Sequence, residues 1–247
     1  VWVRWSDVNN PANDWENMRS FFGSLSKTGI RGIKIDFMDS ASQERLAFYD
    51  AVAENLAKNK LMVNFHGANT PTGEERSWPH EMSREGIYGG EQNIWAAIGG
   101  QHYCALPFTR LISGHADFTG GYFGHEPKLR GSSWTLQMAA NIIYTSPMLH
   151  WVSNPADMEA AFPKDSPERE VVRNIPSVWE ETIVLPPSAI GECAAFARRS
   201  GNQWYIALMN GDGRERTVSI PLNFLDKNTA YQATICLLYT SDAADDL

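Results

Sequence analysis

The strongest constraint on what this chain can fold into is a rhythm in which short, nearly continuous apolar runs alternate with longer segments of helical periodicity. "VWVRW" (1–5), "IRGIKIDFM" (30–38) and "LMVNFHGA" (61–68) read as strands. Between them, "DWENMRSFFGSLSKTG" (14–29) reads as a helix closed by Gly29. In "SQERLAFYDAVAENLAKNK" (42–60), Leu46, Tyr49, Val52, Ala53 and Leu56 share one helical face. Strands buried on both faces and joined by helices signal βαβ units and a parallel sheet.

Further along, the rhythm loosens. "NTPTGEERSWPHEMSREG" (69–86) reads as a loop with a short helical turn, and Glu74 and Glu75 in it as solvated charge. A brief strand is expected at "IYGGE" (87–91) and a strand with a long functional loop in 103–123. A helix follows at 132–146, and a last strand at "PMLHWVSN" (147–154). Roughly six βα-type strands fit a partial (β/α)8 barrel, an α/β fold, over 1–181. A doubly wound sheet fits the count too, but no strand end carries a glycine-rich phosphate loop. From 182 to 235 the pattern changes to strand-like runs separated by "RSGNQ" and "NGDGRE", the mark of hairpins in a small antiparallel β-domain.

Both chain ends carry expectations of their own. The start, on strand-like alternation without Met, reads as a fragment whose upstream part is missing. The last twelve residues, "CLLYTSDAADDL" (236–247), read as a non-native, adapter-derived tail and are set aside. Without that tail two cysteines remain, Cys104 and Cys193, too far apart in sequence to suggest a disulfide framework or metal-ligand spacing.

Composition narrows the function. A formal charge of −8 without clustered Lys and Arg argues against nucleic acid. No apolar run is long enough to span a bilayer. Nine Trp, eight Tyr and eleven Phe suit a sugar-binding cleft, and equally a large core.

The chemistry-bearing residues sit where expected strands end. In a β/α barrel such positions converge on one cleft, so Asp36, His66 and Glu91 become candidates. Retaining glycoside cleavage uses one carboxylate that attacks the anomeric carbon and one that donates and later removes a proton, about 5 Å apart. Asp36 and Glu91 could meet that demand. Lys34, two positions before Asp36 on the same strand face, could touch a substrate hydroxyl and lend its charge to Asp36. His66 reads as a sugar hydrogen-bond donor or as a satisfied core histidine. Asp117, on the glycine-bounded loop "SGHADFTGG", reads as a hydroxyl contact or an Asx-turn. Arg110 reads as a brace of the site or a substrate contact, and Asp39 as a helix N-terminal residue.

The string from "GIKIDFMDS" through "VNFHGANTPTGEERSWPHEMSREGIYGGE" resembles the barrel of glycoside hydrolase family 97, and "LPFTRLISGHADFTGGYF" continues the likeness. The resemblance implies an α-glucosidase or α-galactosidase with an N-terminal sandwich, a central barrel, a C-terminal β-domain and a catalytic-site Ca2+. The inverting branch of that family carries a Glu where this chain has Gly67. The retaining branch has an Asp at the strand end matching "KIDFMD", and Asp36 stands there. The resemblance therefore implies a retaining α-galactosidase acting on an α-linked oligosaccharide. Asp36 is its nucleophile, Glu91 its acid/base, and Glu85 with Glu91 its calcium ligands. An α-glucosidase using the same residues and a non-catalytic carbohydrate binder are the alternatives, and a periplasmic or secreted location is the expectation. Oligomeric state is left open.

Overall fold

The computed structural model of the chain describes residues 1–123 and 129–236, so the expected tail lies outside the described residues except for Cys236. The chain divides into two compact units. The first comprises 1–89, 110–118 and 145–149; the second comprises the remaining segments.

In the first unit, β1 (Trp2–Arg4), β2 (Gly32–Asp36), β3 (Met62–Phe65) and β4 (Glu81–Arg84) form a parallel sheet in sequential order. Helix α1 (Trp5–Val8) and helix α2 (Glu16–Ser26) precede β2, α3 (Gln43–Lys58) joins β2 to β3, and α4 (Glu74–Ser77) precedes β4. The alternation along β2 places Ile33 and Ile35 in the core with Met18, Phe22, Phe48, Val52, Leu56, Val63 and Phe65. Lys34 and Asp36 take the opposite face. The buried stripe of α3 runs through Phe48, Tyr49, Val52, Ala53 and Leu56, whereas the expected member Leu46 is exposed. Helix α3 is capped by Ser42, whose hydroxyl accepts from Arg45 N–H, so Asp39 is not the capping residue.

The second unit pairs helices with an antiparallel sheet. It contains α5 (Gly100–Ala105), α6 (Trp134–Ile143), α7 (Pro155–Ala161), α8 (Pro167–Asn174) and the strands β5 (Glu181–Val184), β6 (Cys193–Ser200) and β7 (Gln203–Asn210). Strands β6 and β7 form the hairpin expected at "RSGNQ": Ser200 pairs with Gln203, and Gly201 takes φ +57° in the two-residue turn. The sheet packs on helical segments of the same unit, since Phe196 meets Phe108 at 5.7 Å and Arg198 Nη1 donates to the Ile142 carbonyl at 2.8 Å.

Several expected elements differ. "EMSR", read as loop, is strand β4; its charges do not expose it, because Arg84 turns back onto Glu81 and both are buried. "IYGGE" forms no strand and leads into a 3-10 turn at Gly90–Ile94. Residues 103–113 are helical turns, and single parallel bridges, Arg84 to Ala116 and Gly120 to Trp151, stand where further strands were expected. Closure of a barrel therefore does not follow from the described pairing. The "NGDG" turn ends β7, but no strand follows it among the described residues. Asp212 there binds Arg214 and Arg216 instead.

Candidate active site

Asp36 is the last residue of β2, and both its carboxylate oxygens are occupied. Oδ2 accepts the Trp2 indole N–H at 2.9 Å, and Oδ1 accepts the backbone N–H of Phe37 at 2.6 Å. The second contact depends on a bend. Phe37 and Asp39 adopt φ of +63° and +43°, values that bulky residues take only where surrounding structure compels them.

Gly67 is what compels this bend. It follows His66 at the end of β3 with φ +57°, accepts the Asp39 N–H at 2.7 Å and donates its own N–H to Glu85 Oε2 at 2.6 Å. A Cβ built on it would stand 3.0 Å from Phe37 N and from Asp39 Oδ1. The turn presenting Asp36 thus fills the space that a side chain at 67 would need. Glycine here is a packing requirement as well as a conformational one.

Beside this turn lies a buried charge group. Asp117 Oδ2 accepts from Lys34 Nζ at 2.7 Å and contacts His66 Nδ1 at 2.9 Å, while His66 Nε2 lies 3.5 Å from Glu85 Oε1. The Asp117 side chain has no solvent exposure, so its charge is held by the partners converging on it. Lys34, expected to lend its charge to Asp36, makes its ion pair with Asp117. Nor is Asp117 merely a turn former: it joins β2, β3 and the segment after β4.

Arg110 points its guanidinium at main chain. Nε donates to Gly86 O at 2.7 Å, Nη1 to Gly114 O at 3.0 Å, and Nη2 to Arg84 O and Glu85 O at 3.0 Å and His115 O at 3.3 Å. Burial lowers its pKa to about 10, with the Glu75 charge opposing the shift, so it remains a cation at neutral pH. That is the bracing geometry. It fixes the chain on either side of Glu85.

Glu74 departs from its expected solvated role. Its Oε1 meets buried Arg84 Nη1 at 3.1 Å, and the Arg84 guanidinium lies 4.1 Å over the Tyr49 ring. Glu81, the other anionic partner of Arg84, has its pKa raised by burial, an effect Arg84 opposes.

Glu91 belongs to the second unit, on the 3-10 turn Gly90–Ile94, where its backbone carbonyl accepts from Tyr122 Oη at 3.0 Å. Burial, and after it the Glu91 charge, raises the pKa of the Tyr122 phenol. Glu91 is half-buried, as is Glu85. Glu85 offers hard carboxylate oxygens, one fixed by the Gly67 N–H, so its chemistry fits a calcium ligand; six to eight oxygens are needed in all. Two groups here carried no sequence signal as site residues: Trp2, whose indole looks like core, and the Phe37 N–H, whose role comes from a backbone angle.

An acid ending one parallel strand, with ionic groups gathered at its neighbours' ends, is the layout of a β/α enzyme site. The glycoside hydrolase 97 family model matches residues 1–87, and the glycosyl-hydrolase 97 C-terminal, oligomerisation model matches 178–245. The chain belongs to glycoside hydrolase family 97. It is similar to a probable retaining alpha-galactosidase of Streptomyces bingchenggensis, 33% identical over 222 residues, which span 90% of this chain and 33% of that relative. A retaining alpha-galactosidase of Bacteroides thetaiotaomicron is 30% identical over 247 residues, 94% of this chain and 36% of the relative. The chain thus spans about a third of the length of the curated relatives it matches. In fold it resembles a family 97 enzyme of Pseudoalteromonas sp. strain K8 in complex with acarbose, with TM-score 0.78, 24% identity, and coverage of 92% of this chain and 38% of that one. It also resembles a beta-arabinopyranosidase, with TM-score 0.71, 23% identity, and coverage of 85% and 36%.

Proposed function

We propose that this chain supplies the nucleophile and the acid/base of a retaining, exo-acting α-galactosidase built on a β/α barrel. In the first step an Asp36 oxygen forms a bond to the anomeric carbon as the glycosidic C–O bond breaks, and Glu91 gives its proton to the departing oxygen. In the second, Glu91 takes a proton from water, the water oxygen bonds to the anomeric carbon, and Asp36 leaves as a carboxylate. Lys34 and His66 serve the sugar hydroxyls, the fully buried Asp117 holds those two side chains in place, and Arg110 steadies the backbone that carries Glu85. Glu85, with Glu91, would hold a calcium ion, whose chemistry is to polarise and orient oxygen ligands.

The observation that carries the reading is the pairing of an anchored Asp36 with a side-chain-free Gly67. A side chain at position 67 would crowd Phe37 and Asp39, which disfavours a base there, and the anchored Asp36 carboxylate supports the nucleophile reading instead. The curated relatives named as retaining alpha-galactosidases support the same choice. We assign the activity to an enzyme of the relatives' length. The 247 residues, about a third of the relatives' length, should not turn over alone.

The test is made in that longer enzyme. Asp36→Ala abolishes turnover of an α-galactoside, and azide restores part of it with the opposite anomeric product, read by proton NMR. Absence of rescue together with net inversion by the unaltered enzyme contradicts the reading. An α-glucoside assayed alongside decides between the two sugars.

A further inference from the structure

Asp36 is held by donors from two different elements, and one of them is a side chain. Trp2 lies on β1, opposite Lys34 in the parallel register, while Arg4 lies opposite Asp36. Its indole therefore leans along the sheet to reach Oδ2 at 2.9 Å. The ring does not lean freely. It meets the Phe37 ring edge-on, with centroids 6.0 Å apart and an interplanar angle of 80°, and the Arg4 guanidinium stands 5.5 Å from the Phe37 centroid. Trp2 is 50% exposed, so burial alone does not account for a large aromatic held in this pose.

We infer that Trp2 is a positioning residue for the nucleophile, an inference that rests on the reading that Asp36 attacks the anomeric carbon. The Phe37 N–H fixes one oxygen but leaves the carboxylate plane able to swing about that bond. A second donor, on a neighbouring strand, fixes the plane. A nucleophile held near its attack geometry reacts faster than one that must find it, and small misplacements are costly. The contact is charge-assisted, the stronger kind of hydrogen bond, so its loss is measurable.

Trp2→Phe keeps an aromatic ring and removes the N–H. In the enzyme of the relatives' length, it should lower kcat about tenfold to a hundredfold with KM within about twofold. A double-mutant cycle separates positioning from a general structural role. In Asp36→Gly rescued by azide there is no carboxylate to orient, so adding Trp2→Phe should change the rescued rate by less than about twofold. Equal losses in both backgrounds, or no loss in either, overturn the inference. In the 247-residue chain itself, the Trp2 indole N–H resonance, identified by its disappearance in Trp2→Phe, should move upfield in Asp36→Asn. An unmoved resonance also overturns it. Failure of azide to rescue Asp36→Gly would remove the nucleophile reading and this inference together, whereas rescue with an inert Trp2→Phe removes the inference alone.

Discussion

The two sheets of this molecule are put together by opposite rules. On the parallel sheet, the face that carries Lys34 and Asp36 gathers ionic groups, and the turns that follow β2 and β3 hold Phe37, Asp39 and Gly67 at positive φ. The antiparallel sheet is regular. Strand β6 buries Cys193, Ala194, Ala195, Phe196 and Ala197 in succession, and its one buried cation, Arg198, donates to Thr182 Oγ1 and the Ile142 carbonyl. Local strain and buried charge lower stability unless neighbouring structure over-determines them, and proteins concentrate such departures where chemistry is done. Here two such backbone positions, Phe37 and Asp39, follow Asp36 directly.

Substitutions should separate the two regions by size of effect. Asp117→Ala leaves Lys34 and His66 without their common anion in a buried setting and should destabilise by about 3–5 kcal/mol, read by urea denaturation. A loss below about 1 kcal/mol would show that the charge group is better solvated than its burial indicates. Gly67→Ala places a Cβ against Phe37 and Asp39 at φ +57° and should cost about 2 kcal/mol or more. It should also reduce catalysis in the longer enzyme, because the bend that presents Asp36 must shift. Gly67→Glu should not produce an inverting enzyme.

The antiparallel sheet should be more forgiving. Arg198→Met removes a desolvated cation whose pKa burial lowers to about 10, and it should cost about 1 kcal/mol, the unmet Ile142 carbonyl included. A cost as large as that of Asp117→Ala would erase the contrast. The smallest effect is expected from thiol reagents. Burial pushes the Cys104 thiol up to about 11 and raises that of Cys193, so at pH 8 neither is a thiolate in the folded chain. An aromatic disulfide reagent should therefore label both only after denaturant is added. Prompt labelling of Cys104 or Cys193 without denaturant, beyond that of the partly buried Cys236, would mean that the sheet opens.

Elements with strong periodicity were legible in the sequence: β2, β3, α2, α3, α6 and the hairpin at Gly201. Those that failed did so for identifiable reasons. Strand β4 carries Glu81 and Arg84, which satisfy each other inside the fold and so look like loop from outside it. The stretches near 87–91 and 147–154 have the apolar content of strands, but the first forms a bend leading into a 3-10 turn and the second only the single bridge from Trp151 to Gly120. Asp36 was legible as a strand-end acid. Its anchoring by Trp2 was not, because the contact spans 34 residues and leaves no mark on either neighbourhood. Asp117 is a similar case, binding groups 83 and 51 residues away.

The central claim, that Asp36 becomes covalently bonded to the sugar, has a direct test. The longer enzyme is incubated with a fluorinated galactosyl donor that forms the intermediate faster than it breaks down, then digested for mass spectrometry. The account predicts one added fluorosugar on the peptide containing Asp36, and none in Asp36→Asn. An adduct on another residue, or none under conditions where the enzyme turns over with inversion, would contradict it.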